Sequence, residues 1–595
     1  MSIVPLSKVT LFGLKVEEET ILEGLQCLGC MHLIDLHSPA KESGFGLSDR
    51  YKDAQKALRY IIDVPRRRHQ VLDETKFNLD WVVSAALTNK QKRREAEDKK
   101  LFLANRLKKL TPWGNFTLPD LNDLGGYRLW FYQVPHAKAK QIQKLELPWQ
   151  IVGKDRLNVY VVVIAQEEPP ADILPVTRTH AGSVSPEELK CQLEQVEIEL
   201  DEIRAEHQAL SRWIVLLSKN LARAEDEVSL RQASSKSIEQ EGIFLVQGWM
   251  PKHLLKQLDA FAEQHQLALL AEPSQPNETP PTLMENPEAL RGGQDLVSFY
   301  QTPSYDNWDP SLVVFFSFAL FFAMILADAG YSLILTVIVA FCWKQMGQNQ
   351  GGKNFRRLMA VVLGASLAYG VLVGSYFGLT PTEGSWLTNL QVMRVDNFEI
   401  MMPMAIAIGC LHVVFANIIV FYRAIGFANQ ARPLGWILVL LGGLAVYLGG
   451  NADAIRFGNL GFGLLGGGFW LIFLSGVAGS RQKLPWRLFQ GFGALVGITT
   501  MFGDILSYLR LFALGLASAS LAQTFNQLAI QSGDVLPGPL LPLLILLLGH
   551  GINLGLGIIS GFVHGLRLNF IEFFRWGLSD EGYPFQAFAK QERDL

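Results

Sequence analysis

The stretch that decides the fold is Gln490-Gly-Phe-Gly-Ala-Leu-Val-Gly-Ile-Thr-Thr-Met-Phe-Gly-Asp-Ile-Leu-Ser-Tyr-Leu-Arg510-Leu-Phe-Ala-Leu-Gly-Leu-Ala-Ser-Ala-Ser520. It reads as one long apolar helix with a single arginine near its middle. A helix of roughly 40 residues is about 60 Å long, twice the thickness of a bilayer core, so it must tilt strongly or project. A charge at mid-depth costs between about 3 and about 15 kcal/mol unless it faces water or a partner. Arg510 is therefore expected to line an ion path or to meet an acid on another chain. The alternative is an arginine that pairs with an internal carboxylate only to hold the bundle together. Asp504 on the same helix lies about 120° off the arginine stripe and is not an obvious direct partner. Ser507, Arg510, Leu514 and Ala517 share one stripe, and the small residues from Ala513 to Ser520 would let another helix pass close by.

Outward from this helix the chain divides by composition. Of its 595 residues, those up to about Tyr300 are rich in charge, and those beyond form long apolar runs. The expected organisation is a soluble domain over 1–300 and a membrane domain over 301–595. The net charge of -3 argues against a nucleic-acid protein. Cys27, Cys30, Cys191, Cys342 and Cys410 are scattered and suggest no disulfide framework. The lone Cys27-Leu-Gly-Cys30 reads as core residues, with a redox or metal role as the alternative. The first residues contain no signal-peptide apolar region, so the soluble half is expected in the cytosol. No P-loop, HExxH, GxSxG or paired zinc motif appears, so no catalytic site, metal or cofactor is expected. Asn277-Glu-Thr279 fits a glycosylation sequon, read as chance on the cytosolic side.

The soluble half opens on a βαβ-like pattern: strand Lys8–Leu14, helix Glu17–Leu28, strand Cys30–Leu36. Tyr51 to about Lys109 reads as mostly helical, broken at Pro65. Tyr127–Ala165 reads as strand, helix (from Val134 to Ile142) and strand. Ser185-Pro-Glu-Glu188 is a capping box with proline at the first helical position. The helix it opens, about 185–237, places Leu189, Leu193, Val196, Leu200, Ile203, His207, Leu210, Ile214, Leu217 and Leu221 on a heptad seam. His207 is the seam's polar break rather than a ligand. The partner helix is expected from 51–109, giving two α/β lobes joined by an antiparallel coiled-coil arm. Pro273–Pro287 reads as a linker.

Eight spans are expected: Ser311–Ala327, Ala329–Trp343, Leu358–Leu379, Met401–Tyr422, Leu434–Gly449, Leu460–Gly479, about Leu488–Ile530 and about Leu540–Phe574. Lys344, Lys353, Arg356 and Arg357 follow span two, and Arg423 and Arg432 follow span four. Arg481, Lys483 and Arg487 follow span six, and Arg575, Lys590 and Arg593 follow span eight. The alternate loops, Thr380–Glu399, Gly450–Asn459 and Gln531–Pro539, are acidic or nearly neutral. Both termini are thus expected in the cytosol. On the last span His550, Asn553, Gly557, Ser560, His564 and Arg567 follow at three- or four-residue spacing and read as the lining of a watery path or as a tight helix contact. Glu572 would serve the cytosolic mouth. Asp328, His412 and Asn417 are weaker candidates that equally suit internal hydrogen bonding.

Ser507-Tyr-Leu-Arg-Leu-Phe-Ala-Leu-Gly-Leu-Ala517 resembles the arginine-helix signature of the membrane stator subunit of V-type and A-type rotary ATPases, subunit a, called subunit I in prokaryotes. Val563-His-Gly-Leu-Arg-Leu-Asn-Phe-Ile-Glu-Phe573, Asp328-Ala-Gly-Tyr331 and Pro280-Pro-Thr-Leu-Met-Glu-Asn286 resemble further parts of that family. The resemblance covers essentially the whole chain. It implies that Arg510 is the family's indispensable arginine, Arg567 its second arginine and His564 the histidine before it. It implies ion half-channels lined by candidates Ser507, Asp504, His550, Asn553, Ser560, Glu572, Asp328 and His412. It also implies a proteolipid ring, peripheral-stalk E/G-type subunits and a central-stalk C/d-type subunit as partners, in a prokaryotic plasma membrane. Gly557 and Ser518 depart from some eukaryotic members, which carry glutamate and histidine there. The alternative is a secondary transporter with a cytosolic regulatory domain, for which no internal repeat of spans is evident. A purely structural scaffold sits badly with two arginines at membrane depth.

Overall fold

The computed structural model describes residues 3–36, 49–116, 124–167, 169, 176, 178–179, 184–275, 278–382, 384–449, 455–478, 483–535 and 538–591. Asn277, Arg481, Arg593 and residues 450–454 of one expected loop lie outside them. The chain divides into two compact units, Gly13–Cys30 with Asp35–Val246 and Phe588–Leu595, and Met1–Phe12 with Met31–Ile34 and Gln247–Ala587.

The first of these units is built on helices. α1 (Glu18–Leu28) ends on Gly29 at φ 61, a left-handed cap that glycine takes without a Cβ penalty. Cys27 on α1 is exposed, against the core reading, and Cys30 is buried. The expected helix 51–109 is two, α2 (Asp49–Ile62) and α3 (Leu79–Leu110). Asn78 caps α3 by accepting from the Trp81 amide at 3.0 Å. α4 (Pro186–Leu210) starts at its capping serine, whose Oγ accepts from the Glu188 amide at 3.2 Å. The seam then packs antiparallel: Ala96, Leu103 and Leu110 meet Leu189, Val196, Leu200 and Ile203. Val82 and Ala86 meet Leu210, Ile214, Leu217 and Leu221 together with α2.

One difference from the sequence reading lies in this helix. It breaks at a 3-10 turn, Ser211–Trp213, and resumes as α5 (Ile214–Lys236). The cause is Gln70. Its Nε2 donates to the Ser211 carbonyl at 3.0 Å and its Oε1 accepts from the Val215 amide at 3.3 Å. Those two groups would bond each other in a continuous helix, so the carboxamide is inserted into the ladder. A small antiparallel sheet completes the unit, with Asn158–Ala165 between Arg128–Pro135 and Trp149–Lys154. The stretch expected as helix from Val134 is strand to Pro135 and then a 3-10 helix, His136–Lys144, with no side-chain cap.

His207 sits inside the seam, 5% exposed, stacked on Tyr60 at 4.0 Å with its Nε2 2.8 Å from the Tyr60 carbonyl. Burial holds its pKa below the ordinary histidine range; the Tyr60 carbonyl and Asp63 oppose that and Arg93 adds to it. A folded pKa below the unfolded one means the unfolded chain takes the proton first. Stability is then full above about pH 6.5 and falls as pH drops through and below it. Amide exchange around Tyr60 and Ile203, corrected for intrinsic rates, should be faster at acid pH than at pH near 8. His207→Gln should remove the difference; equal protection at both pH values would contradict this account.

In the other unit, the strand Leu6–Leu14 pairs antiparallel with Ala268–Pro273, in register from Ser7↔Pro273 to Phe12↔Ala268. The expected strand–helix–strand start forms, but its second strand is only His32–Leu33 and pairs with Ile243–Pro251, which lies between it and the first. α6 (Leu255–Gln264) and α7 (Arg291–Tyr300) precede the apolar helices. These are α8 (Ser311–Leu326), α9 (Ala329–Met346), α10 (Gln350–Val373), α11 (Phe398–Arg423), α12 (Phe427–Leu448), α13 (Ile455–Ala478), α14 (Leu484–Leu506), α15 (Leu509–Val535) and α16 (Leu540–Arg567). A π-helical turn, Leu568–Phe573, leads into the short α17 (Phe574–Gly577).

Among the described residues seven helices are long and apolar enough to cross a membrane, counting α14 with α15 and α16 with α17 as one each. The first expected span, α8, is the one not among them: it has 16 residues, about 24 Å at 1.5 Å per residue, against a core of about 30 Å. It is nonetheless central, with Phe315, Phe318, Phe322 and Leu326 all buried. The third span is displaced from its expected range because α10 stops at Gly374, φ 72.

α12 and α13 pack backbone to backbone. A Cβ on Gly435 would lie 2.8 Å from the Gly468 carbonyl, and one on Gly442 would lie 2.8 Å from the Gly461 carbonyl. Small residues at such a seam let helices approach where lipid offers no hydrophobic drive. Gly442→Val should force the pair apart and cost about 1–3 kcal/mol or more, read as a lower unfolding midpoint in detergent. Gly443→Val is the control, since a Cβ there meets nothing within 4 Å. Equal effects of the two would refute the seam.

Candidate functional site

The helix that carries Arg510 is not continuous, which corrects the sequence reading. α14 ends at Leu506, Ser507 and Tyr508 form a turn, and α15 begins at Leu509. The amides of Tyr508, Arg510 and Leu511 bond to Ile505, Ser507 and Tyr508 at 3.0, 3.3 and 3.0 Å, an i to i−3 tightening. Tyr508 accounts for it. Its side chain is fully buried in a slot over Gly409 of α11, where a Cβ would lie 2.7 Å from the Tyr508 ring. Its hydroxyl meets His412 Nδ1 at 2.8 Å, and the imidazole in turn stacks on Phe573 of the π turn at 4.3 Å. The arginine junction and the π turn are thus tied through one histidine.

Arg510 emerges from this junction half-buried. Its Nη1 is buried and has no hydrogen-bond partner among the described residues. The charges that act on it are Arg567 and Glu572. Glu572, only 2% exposed, projects from the π turn with Oε1 3.9 Å from Arg567 Nε, and its Oε2 is a second buried orphan. His564, one turn before Arg567, has a buried, unpartnered Nδ1 and feels both arginines. Ser507 acts on Glu572 together with the two arginines. The structure therefore brings Ser507, Arg510, His564, Arg567 and Glu572 together. Two guanidiniums face one carboxylate, and three polar atoms lack partners. Buried polar groups are almost always satisfied, so these three atoms need partners other than this chain's own groups, water included.

The other residues singled out from the sequence lie elsewhere. Asp504 accepts from Arg575 Nη1 at 2.9 Å and from Trp576 Nε1 at 2.8 Å. It ties the end of α14 to α17, and Arg575, read from sequence as a loop charge, is its partner. Asp328 is the N-cap of α9, 3% exposed. Its Oδ1 accepts from the amides of Tyr331 and Phe377, both at 3.0 Å, and its Oδ2 accepts from Ser375 Oγ at 2.7 Å and the Gly378 amide at 3.0 Å. His550 and Asn553 belong to a chain of hydrogen bonds that joins α9, α15 and α16. Asn526 Oδ1 meets His550 Nε2 at 3.0 Å, and His550 Nδ1 meets the Tyr331 hydroxyl at 2.6 Å. Asn553 Nδ2 donates to that hydroxyl at 3.0 Å and to the Ser518 carbonyl at 2.9 Å. Gly557, on the same stripe, lies against Leu326 of α8, and Ser560 is half-buried between Gly557 and His564. Asn417 bonds back to the Val413 carbonyl within its own helix.

Sequence reasoning missed Tyr508, Tyr331, Asn526 and Trp576, although Tyr508 and Tyr331 lie inside the motifs quoted above. A polar tip on an otherwise apolar helix needs a buried partner, and that is the signal by which both could be found.

Residues 178–363 match the model of the V-type ATPase 116kDa subunit family. The chain is 31% identical over 448 residues to a V-type ATP synthase subunit I of Chlamydia pneumoniae, covering 62% of this chain and 65% of that one. It is 25% identical over 446 residues to an A-type ATP synthase subunit I of Methanocaldococcus jannaschii, covering 67% and 63%. To a V-type ATP synthase subunit I 1 of Treponema pallidum it is 26% identical over 619 residues, covering 96% and 97%. The chain thus spans somewhat less than two thirds of the first two relatives and nearly all of the third. With seven membrane-length apolar helices among the described residues, it is a multi-pass membrane protein.

Proposed function

We propose, from its similarity to the V-type ATPase 116kDa subunit family and to the subunit I relatives, that this chain belongs to that family and is the non-catalytic membrane stator subunit of a V/A-type rotary ATPase. One observation carries the reading: Arg510 Nη1, His564 Nδ1 and Glu572 Oε2 are buried orphans in one cluster of opposed charges. A guanidinium left unpaired at membrane depth suits a carboxylate that arrives and leaves. That carboxylate would come from a ring of proteolipid subunits. Two aqueous half-channels, offset across the bilayer, would bring H+ or Na+ to the ring, and Arg510 would sit between them, displacing the ion and blocking a direct leak. His564, Arg567 and Glu572 would set the field around it. The antiparallel arm would anchor peripheral-stalk subunits of E/G type, and a central-stalk C/d-type subunit would cap the ring. The basic helix ends favour cytosolic termini in a prokaryotic plasma membrane.

Purification tests this. The chain isolated under mild conditions should bring a small proteolipid ring and nucleotide-binding subunits with it. Ion or solute flux by the chain alone, with no such partners, would favour a secondary transporter instead.

A further inference from the structure

A cavity of about 940 Å³ opens where α11 ends and α12 begins, and none of the clustered residues Ser507, Arg510, His564, Arg567 and Glu572 lines it. Arg423 and Arg432 line it, and Asp306 supplies the single carboxylate of its wall. Arg423 donates to the Asp306 carbonyl rather than to an acid. Among the described residues neither guanidinium is in an ion pair, whereas Arg357, Arg567 and Arg575 each are. The first turn of α12 contributes Ala428 and Asn429 to the wall, and no side chain caps that helix end. The rest of the lining is mixed: Asn307, Gln490, Ser475 and Ser579 are polar, and Val420, Ile425, Pro433 and Ala494 form an apolar part. Tyr422 and Phe427, next in the chain to the lining residues Arg423 and Ala428, stand exposed, and Trp486 and Phe489 stand exposed on α14, which supplies part of the wall. Aromatic side chains of this kind gather at the level of lipid headgroups.

We infer that this cavity is a binding site for an anionic phospholipid, with the phosphate held between Arg423 and Arg432 and an acyl chain laid along the apolar wall. Three features converge on that occupant. The volume falls in the range of ligand sites, about 300–1,000 Å³. The charge is net positive, two guanidiniums against one carboxylate. A soluble anion would use the guanidiniums but leave the apolar part of the cavity wet, whereas a lipid fills both. Basic pockets between helices on the cytosolic side of a membrane bind headgroups of this class. The cytosolic placement rests on the orientation proposed above.

The test uses the full chain in detergent, titrated with phosphatidylglycerol or phosphatidylcholine and read by native mass spectrometry. Phosphatidylglycerol should be retained about tenfold over phosphatidylcholine. The double variant Arg423→Gln/Arg432→Gln should lose that preference. Arg394→Gln, an exposed arginine paired with Asp396, should keep it. Equal retention of both lipids by the native chain, or an unchanged preference in the double variant, would overturn the inference. So would thermal stabilisation by inorganic phosphate alone that the double variant abolishes, since the arginines would then serve a soluble anion. Because the lipids are presented in detergent, the result does not depend on which membrane face is cytosolic. ATP-driven transport in the Arg510 variants tests that other reading separately.

Discussion

Arg510→Ala is expected to abolish ATP-driven ion transport in an assembled complex while leaving the complex intact. Both halves of that expectation come from the same geometry. The side chain is half-buried and its Nη1 has no partner among the described residues, so its removal leaves no buried acceptor newly stranded there. Assembly should survive. What is lost is the field felt by a passing carboxylate. At about 4 Å and an effective dielectric of about 20, one such pair is worth about 4 kcal/mol. A barrier raised by that amount slows the step about a thousandfold. Arg510→Lys should fail nearly as badly, because an ammonium is a point charge that burial can discharge, whereas a guanidinium stays charged and presents a planar fork. Reconstituted vesicles with a proton- or sodium-sensitive dye, run beside a check of subunit composition, give the answer. Coupled pumping at a normal rate by a fully assembled Arg510→Ala complex would end the proposed mechanism.

The parts of this architecture that are legible in the sequence are those with a local period. The seam from Leu189 to Leu221 is written in heptads, and its residues are buried or half-buried. The strands Leu6–Leu14 and Asn158–Ala165 alternate or run apolar, and they form. The glycines of α12 and α13 carry a period too, since Gly435, Gly442 and Gly449 recur every seven residues and face Gly468, Gly461 and Gly458. Hydropathy alone hides it, because it shows those segments only as two apolar spans. Other features have no local signature. Gln70 enters a helix more than a hundred residues away, and Tyr508 fits a slot made by the missing Cβ of Gly409. Asp504 finds Arg575 across α14 and α17. Each depends on a tertiary neighbour whose distance in sequence leaves no pattern to find. The charged cluster is intermediate. Its members all stand out as polar residues on apolar helices, but that Glu572 stands on a π turn beside Arg567 follows from packing alone.

Asp328→Ala carries the second large effect, and it falls on folding rather than on transport. The carboxylate accepts four hydrogen bonds, three of them from backbone amides at a helix start and in a tight loop. Alanine would leave those amides and the Ser375 hydroxyl buried and unsatisfied, at about 1–3 kcal/mol each, so a total of about 5 kcal/mol is a moderate figure. The damage would spread. The loop it holds contains Phe377 at φ 55, whose ring lies where Gly330 has no Cβ and whose carbonyl accepts from Asn526 at 2.8 Å. Asn526 in turn bonds His550. Loss of Asp328 therefore loosens the loop, then the Asn526–His550–Tyr331 chain, and with it the packing of α15 and α16 on α9. The variant should show a low yield of assembled protein and a broad, depressed unfolding transition. Asp328→Asn should be milder, since one oxygen keeps two of the four bonds while the amide nitrogen faces the Gly378 amide. An acid whose purpose was to line an ion path would behave the opposite way, with transport lost and assembly intact. Finding that pattern in Asp328→Ala would return the residue to the path and remove it from the scaffold.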